Sequence, residues 1–188
     1  TDLFNAAKSI MTTDTYPKIC IKKVKIQNHS VKIFGIAKGS GMIMPNMGTM
    51  LAFIFIEAKL SINILKKLIY SNLEDTFNSI SVDSDTSTSD TLALFSISQK
   101  KIDCKNKKNL KKINSTLKDV MADLSLKVIK DGEGCTKLIK VNIFEAKTKI
   151  QAKNIGLSII NSPLVKTAIS GEDANWGRVI MAIGKSKE

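Results

Sequence analysis

The apolar run Met50 to Ile56 constrains this chain most, because it is too short to cross a membrane and too apolar to stay in water. Glu57 and Lys59 close it. Its composition predicts a strand over Met50–Phe55 buried on both faces, which requires layers on either side. A glycine-spaced loop leads into it: Lys38-Gly-Ser-Gly-Met-Ile-Met-Pro-Asn-Met-Gly-Thr-Met-Leu-Ala-Phe53. Gly48 has no Cβ, so its carbonyl is open to close approach and its backbone can take strained dihedrals, while Thr49 puts a hydroxyl on the next residue. Attack on one peptide bond from within the chain needs that arrangement. The plainer reading is a loop entering a buried strand with Thr49 as its first residue, and the residues alone leave both open.

The remaining segments supply the layers. Helical spacing of Leu3, Phe4, Ala7 and Ile10 predicts a helix over Asp2 to Met11. Alternation in Lys18 to Gln27 and Val31 to Ala37, around Asn28-His-Ser30, predicts a hairpin. Ser61 is a candidate N-cap for a helix carrying Ile62, Leu65, Leu68, Ile69, Leu73, Phe77 and Ile80. A strand over Leu92 to Ile97 and a helix carrying Leu110, Ile113, Leu117, Val120, Met121 and Leu124 follow. The turn Asp131-Gly-Glu-Gly134 introduces a strand over Thr136 to Phe144, then a helix over Lys147 to Ile160. Residues 162–178 read as a loop-rich stretch before a short helix over Val179 to Ile183. The order of strands and helices predicts an α/β layered sandwich in one domain. Thr1-Asp-Leu-Phe-Asn shows neither an initiating Met nor a signal pattern, so the chain is expected to be an internal piece of a longer one.

Elimination narrows the chemistry. A formal charge of +12 invites a nucleic-acid reading, yet Arg178 is the only arginine and aromatics make up 5%. Base recognition wants Arg and exposed rings, so we expect a solvated lysine surface and no specific nucleic acid. Cys20, Cys104 and Cys135 are odd in number and far apart, which argues against a disulfide framework or zinc ribbon and fits a reducing, cytoplasmic compartment. His29 is the only histidine and falls in a hairpin turn, leaving Ser-His-Asp and Cys-His machinery without a base. Asp83, Asp85 and Asp90 could ligate a hard cation, but their loop lacks the central Gly and final Glu of a calcium site. Solvated carboxylates in a hydroxyl-rich turn are the expectation there, with no metal. A threonine made N-terminal by cleavage needs no histidine, since its freed α-amine, of ordinary pKa near 8, serves as the base.

Five stretches carry a family likeness. They are Thr12-Thr-Asp-Thr-x-Pro-Lys18, Lys38 to Phe53, Ser81-Val-Asp-x-Asp-Thr-Ser-Thr-x-Asp-Thr91, Gly132-Glu-Gly-Cys-Thr-Lys137 and Ser162-Pro-Leu-Val-Lys-Thr-Ala-x-x-Gly-Glu-Asp-Ala-Asn-Trp-Gly-Arg178. In this order they resemble the successive motifs of the ornithine acetyltransferase family, also called glutamate N-acetyltransferase or the ArgJ family. The resemblance implies the family's N-terminal-nucleophile sandwich fold, shared with DmpA-like enzymes, and a precursor that cuts itself between Gly48 and Thr49. Residues 1–48 would end the α chain and residues 49–188 would begin the β chain, with both chains in a heterotetramer. Thr49 would take the acetyl group of N2-acetylornithine as an ester and pass it to glutamate. No cofactor is implied, although acetyl-CoA would be a further substrate if the enzyme is bifunctional.

The resemblance places substrate contacts on Thr12, Lys38, Thr49 and Glu133. Lys38 would pair with a substrate carboxylate and Glu133 with a substrate ammonium. Without the likeness, Lys38 reads as a solvated strand end and Glu133 as a polar turn residue. Two departures stand out: Gly48 replaces the family's usual alanine, and Ile56-Glu-Ala58 replaces Thr-Asp-Ala. The family's oxyanion-hole Thr-Gly pair falls upstream of Thr1 and further contacts fall beyond Glu188. One such donor is worth about 2.7 to 4 kcal/mol, so the 188-residue piece alone is expected to be close to inactive. The rival readings are a self-processing aminopeptidase of the same nucleophile class, and a non-catalytic lysine-rich binding module.

Overall fold

The computed structural model describes residues 2–44 and 50–188. Helix α1 (Asp2–Ser9) leads into the hairpin β1 (Lys18–Ile26) and β2 (His29–Lys38), followed by β3 (Leu51–Ile56). Then come α2 (Ile62–Leu73), β4 (Thr91–Ser96) and a long α3 (Lys107–Lys130). Three shorter helices end the chain: α4 (Lys149–Ile160), α5 (Pro163–Ser170) and α6 (Trp176–Lys185). This is an α/β fold on a mixed sheet of order β1-β2-β3-β4. The first two pairings are antiparallel and β3–β4 is parallel, which requires a crossover that α2 provides.

Alternation decides the faces. Ile26, Val31, Ile33, Ala52, Ile54 and Ile56 turn into the core, where α3 lays Ile113, Leu117, Val120, Met121, Leu124 and Val128 against them. Those α3 residues recur every three or four positions, and from the rim of the same helix Lys112 and Lys127 donate to the Lys25 and Ile19 carbonyls of β1. Leu117 and Leu124 are fully enclosed, so truncating either to Ala would cost about 2–5 kcal/mol. Where α3 crosses β2 the sheet has no room for a side chain: a Cβ on Gly35 would lie 2.9 Å from the Phe53 carbonyl oxygen and 3.1 Å from Leu124 Cδ1. Gly35→Ala is therefore expected to cost about 1–3 kcal/mol. A thermal melt of the purified variant should show a Tm lowered by about 2–12 °C.

Several sequence expectations change. The Met50–Phe55 strand is observed as Leu51–Ile56 and buries only one face; Phe55 stacks between Phe34 and Phe95 on the other, with centroids 5.3 and 5.2 Å away. That face stays partly open, with Phe95 41% and Ile21 51% exposed. An apolar run reports that a surface is costly to wet, not which layer covers it. The helix expected as far as Ile80 stops at Leu73, and a 3₁₀ turn, Phe77–Ser79, follows. Thr76 Oγ1 donates to the Asn72 carbonyl at 2.8 Å, and such side-chain bonds compete with the helix ladder. Ser61 occupies the N-cap position but makes no side-chain cap bond.

The strand expected over Thr136–Phe144 is absent. Val141 and Ile143 instead pack on the small cluster of Ile159, Val165 and Ala182 that joins the last helices, while Phe144 is 81% exposed. The loop-rich stretch is largely helical. Ser162 accepts from Val165 N, with Pro163 at the start of α5, and Asn175 accepts from Arg178 N to open α6. A Ser-Pro start of this kind was a legible helix signal.

Candidate active site

The site grows from the end of β2. Lys38 pairs in register with Leu51 of β3, so the sheet brings the exit of β2 beside the start of the apolar strand. The residue is 7% exposed, and Nζ donates to Thr12 Oγ1 at 3.1 Å. Lys38 and Thr12, both expected as substrate contacts, thus touch directly.

A buried ionic cluster fixes that pair. Lys18 Nζ lies 2.5 Å from both Asp14 Oδ1 and Asp131 Oδ2, and all three side chains are at most 2% exposed. Asp14 also accepts from Gly39 N at 2.7 Å and from Thr12 N at 3.2 Å, tying the loops on both sides of Lys38 to one carboxylate. Asp131, at the C-terminal end of α3, accepts from Thr15 N at 2.9 Å and from the Thr15 hydroxyl. Burial pushes both carboxyls up, but the bonds from Lys18 and the neighbouring donors outweigh it and hold each below the usual carboxylate range.

Glu133 reaches the same loop two residues past α3. Its amide donates to the Ser40 carbonyl at 2.8 Å. Its carboxylate lies over Gly41, where an added Cβ would come within 2.9 Å of Glu133 Oε2, so only glycine admits this approach. Beyond Glu133 opens a cavity of about 1160 Å³ lined by Tyr70, Glu74, Val82, Ile143 and Ile160 among others. Thr12 and Lys38 do not line it, which separates it from the start of β3.

Two carboxylates expected to be solvated turn out to hold backbone. Asp83 accepts from Met42 N at 2.5 Å and Ile43 N at 3.0 Å, and Asp90 accepts from Met50 N at 2.7 Å. They grip the chain on the two sides of residues 45–49. Burial raises the Asp90 carboxyl, partly opposed by the Met50 bond. Among the described residues no group of three or more His, Cys, Asp or Glu is disposed to hold a metal ion. Gly48 and Thr49, the expected cleavage pair, lie outside the described residues.

The sequence reading missed Asp14, Lys18, Asp131, Asp83 and Asp90 as parts of the site. The first two stand in the Thr12–Lys18 motif, so recurrence of polar residues within a matched motif was the available signal.

Comparison with known proteins decides the family. The model of the ArgJ family matches residues 2–188. The chain belongs to the ArgJ family. It is 50% identical to the arginine biosynthesis bifunctional protein ArgJ of Rhizobium meliloti, over 98% of this chain and 46% of that protein. Against its counterpart in Gluconobacter oxydans the identity is 51%, over 98% and 44%. The chain thus spans less than half the length of these ArgJ relatives. A crystal structure of the arginine biosynthesis bifunctional protein ArgJ of Bacillus halodurans superposes with a TM-score of 0.66 at 35% identity, covering 73% of this chain and 66% of that one. None of the described helices is long and apolar enough to cross a membrane.

Proposed function

We propose that the full protein moves the acetyl group of N2-acetylornithine to glutamate through an acetyl ester on Thr49, after cutting itself between Gly48 and Thr49. The observation that carries this reading is the buried Lys38 ammonium. It has three donors, spends one on Thr12 and meets no carboxylate among the described residues. A buried cation with spare donors is costly unless a ligand anion completes it, and both acetylornithine and glutamate bring an α-carboxylate. The Glu133 carboxylate over Gly41 offers the complementary charge for a substrate ammonium.

In this mechanism the freed α-amine of Thr49 takes the hydroxyl proton as Oγ1 attacks the acetyl carbonyl. The carbon–nitrogen bond breaks, the proton goes to the departing amine, and ornithine leaves behind an ester. Glutamate's amine then attacks the ester and restores the hydroxyl. Residues 1–188 belong to one incomplete domain, with 1–48 ending the α chain and 49–188 beginning the β chain of a cytoplasmic heterotetramer. The word bifunctional in the relatives' names agrees with acetyl-CoA as a second acetyl donor.

The deciding experiment incubates the full-length protein with acetyl-labelled acetylornithine and glutamate. Labelled acetylglutamate is expected; labelled acetate alone would favour the aminopeptidase-type hydrolase. Lys38→Met, which keeps the stem and removes the charge, is expected to raise KM for acetylornithine about 10- to 100-fold, the worth of a charged hydrogen bond. An unchanged KM would remove Lys38 from the substrate site.

A further inference from the structure

Neither backbone strain nor a crowded core accounts for the glycine at position 41. Gly39, two residues earlier in the same loop, has φ +141°, a conformation that residues with side chains rarely adopt. Gly41 has no such positive φ, so its backbone admits alanine. Gly35 has main chain against it, with the Phe53 carbonyl oxygen 2.9 Å from an added Cβ. At Gly41 the three atoms nearest to an added Cβ are Cδ, Oε2 and Oε1 of Glu133, at 2.9, 2.9 and 3.1 Å. The missing side chain makes room for one carboxylate.

That carboxylate is placed by its backbone and has no partner of its own. Glu133 N donates to the Ser40 carbonyl at 2.8 Å, and Ser40 Oγ lies 2.5 Å from Thr13 Oγ1, which ties the loop to the turn. Cys135 N donates to the Gly132 carbonyl at 2.9 Å and closes the turn around Glu133. Asp131, two residues earlier, is locked on Lys18. Among the described residues, however, the Glu133 side chain makes no ion pair and no hydrogen bond. A positioned anion without a protein partner is completed by a cationic ligand. Acetylornithine carries one ammonium, at the end of its side chain, because its α-nitrogen is acylated.

Resting on the reading of Glu133 as an ammonium contact, we propose that Gly41 is a specificity-determining residue for the acetyl donor. Its bare Cα lets the Glu133 carboxylate stand where it takes the side-chain ammonium of acetylornithine, and a larger residue pushes that carboxylate aside. The displaced atoms are the far end of a flexible side chain, so the fold yields at little cost. Donor choice bears the loss instead of stability.

The test gives the full-length protein two donors in turn: N2-acetylornithine, and N2-acetylnorvaline, which has the same carbon chain without the terminal amine. Wild type should prefer acetylornithine by about 10- to 100-fold in kcat/KM, the worth of a charged hydrogen bond. Gly41→Ala should lose most of that preference, through acetylornithine alone, with a Tm within about 2 °C of wild type. Glu133→Gln removes the charge at nearly the same size, and adding Gly41→Ala to it should change the preference almost no further. Independent, additive losses overturn the proposal, as does a Gly41→Ala protein that keeps the wild-type preference. A Gly41→Ala protein that fails to fold also overturns it, because the glycine would then serve the fold. Glu133→Gln separates the two readings. If it loses the preference while Gly41→Ala keeps it, only Gly41 is wrong; if it keeps the preference, or if wild type has none, the Glu133 assignment falls and takes Gly41 with it.

Discussion

Thr49→Ala in the full-length protein is expected to leave a single uncut polypeptide and to remove acetyl transfer, by a factor on the order of a million where a nucleophile is deleted from a working site. Both losses come from one hydroxyl. Without Oγ1 there is nothing to attack the Gly48 carbonyl, and without an acyl acceptor there is no ester to hand to glutamate. Intact mass spectrometry and the labelled-acetyl assay read the two consequences separately. Transfer persisting in an uncut Thr49→Ala protein would place the nucleophile elsewhere. Thr49→Ser is the internal control, since it restores a hydroxyl and should regain both cutting and transfer at reduced rates.

Lys18→Met is expected to be the most destabilising single change at the described site, by about 3–5 kcal/mol, because it strands Asp14 and Asp131 without their shared cation. For a chain of this size that corresponds to a Tm lowered by roughly 6–20 °C. The pH dependence gives a second check. Burial raises both carboxyls, but the bonds from Lys18 and nearby donors leave them below the ordinary carboxylate range. A lowered folded pKa contributes stability that is present above the unfolded value and lost as pH falls through the folded one. Wild type should thus lose this contribution only in acid, below about pH 4. In Lys18→Met the stranded carboxyls are relieved by protonation, so its deficit should be largest near neutrality and shrink on acidification. A deficit independent of pH would mean that lost packing, not lost charge pairing, dominates. Since Asp14 also holds Gly39 and Thr12, the variant should weaken substrate binding through Lys38 as well.

Legibility in the sequence followed the range of the interaction. The β1–β2 hairpin and α3 are written in local periodicity, and both formed where expected. The Thr136–Phe144 segment alternates just as well, yet alternation only says which side chains face together; a strand also needs a neighbour for its backbone, and Val141 and Ile143 met helices instead. By strand alternation alone Lys18 reads like Lys22, Lys23 and Lys25 on the same strand, and only its place in the Thr12–Lys18 motif sets it apart. It is buried because the end of α3 brings Asp131 to it from 113 residues away. Asp83 and Asp90 likewise look like turn residues until amides some forty residues upstream meet them.

The sequence by itself determined the family, through five motifs in order, and with it the expectation that Thr12, Lys38, Thr49 and Glu133 belong to one site. Local spacing also determined the principal helices and the hairpin. Only the tertiary structure decided that Lys38 is a buried cation on Thr12, that a carboxylate cluster around Lys18 fixes it, and that the Glu133 carboxylate stands over Gly41. These depend on burial and on partners distant in the chain. Whether a charged side chain is solvated decoration or a chemical group is set by what the fold removes from water around it.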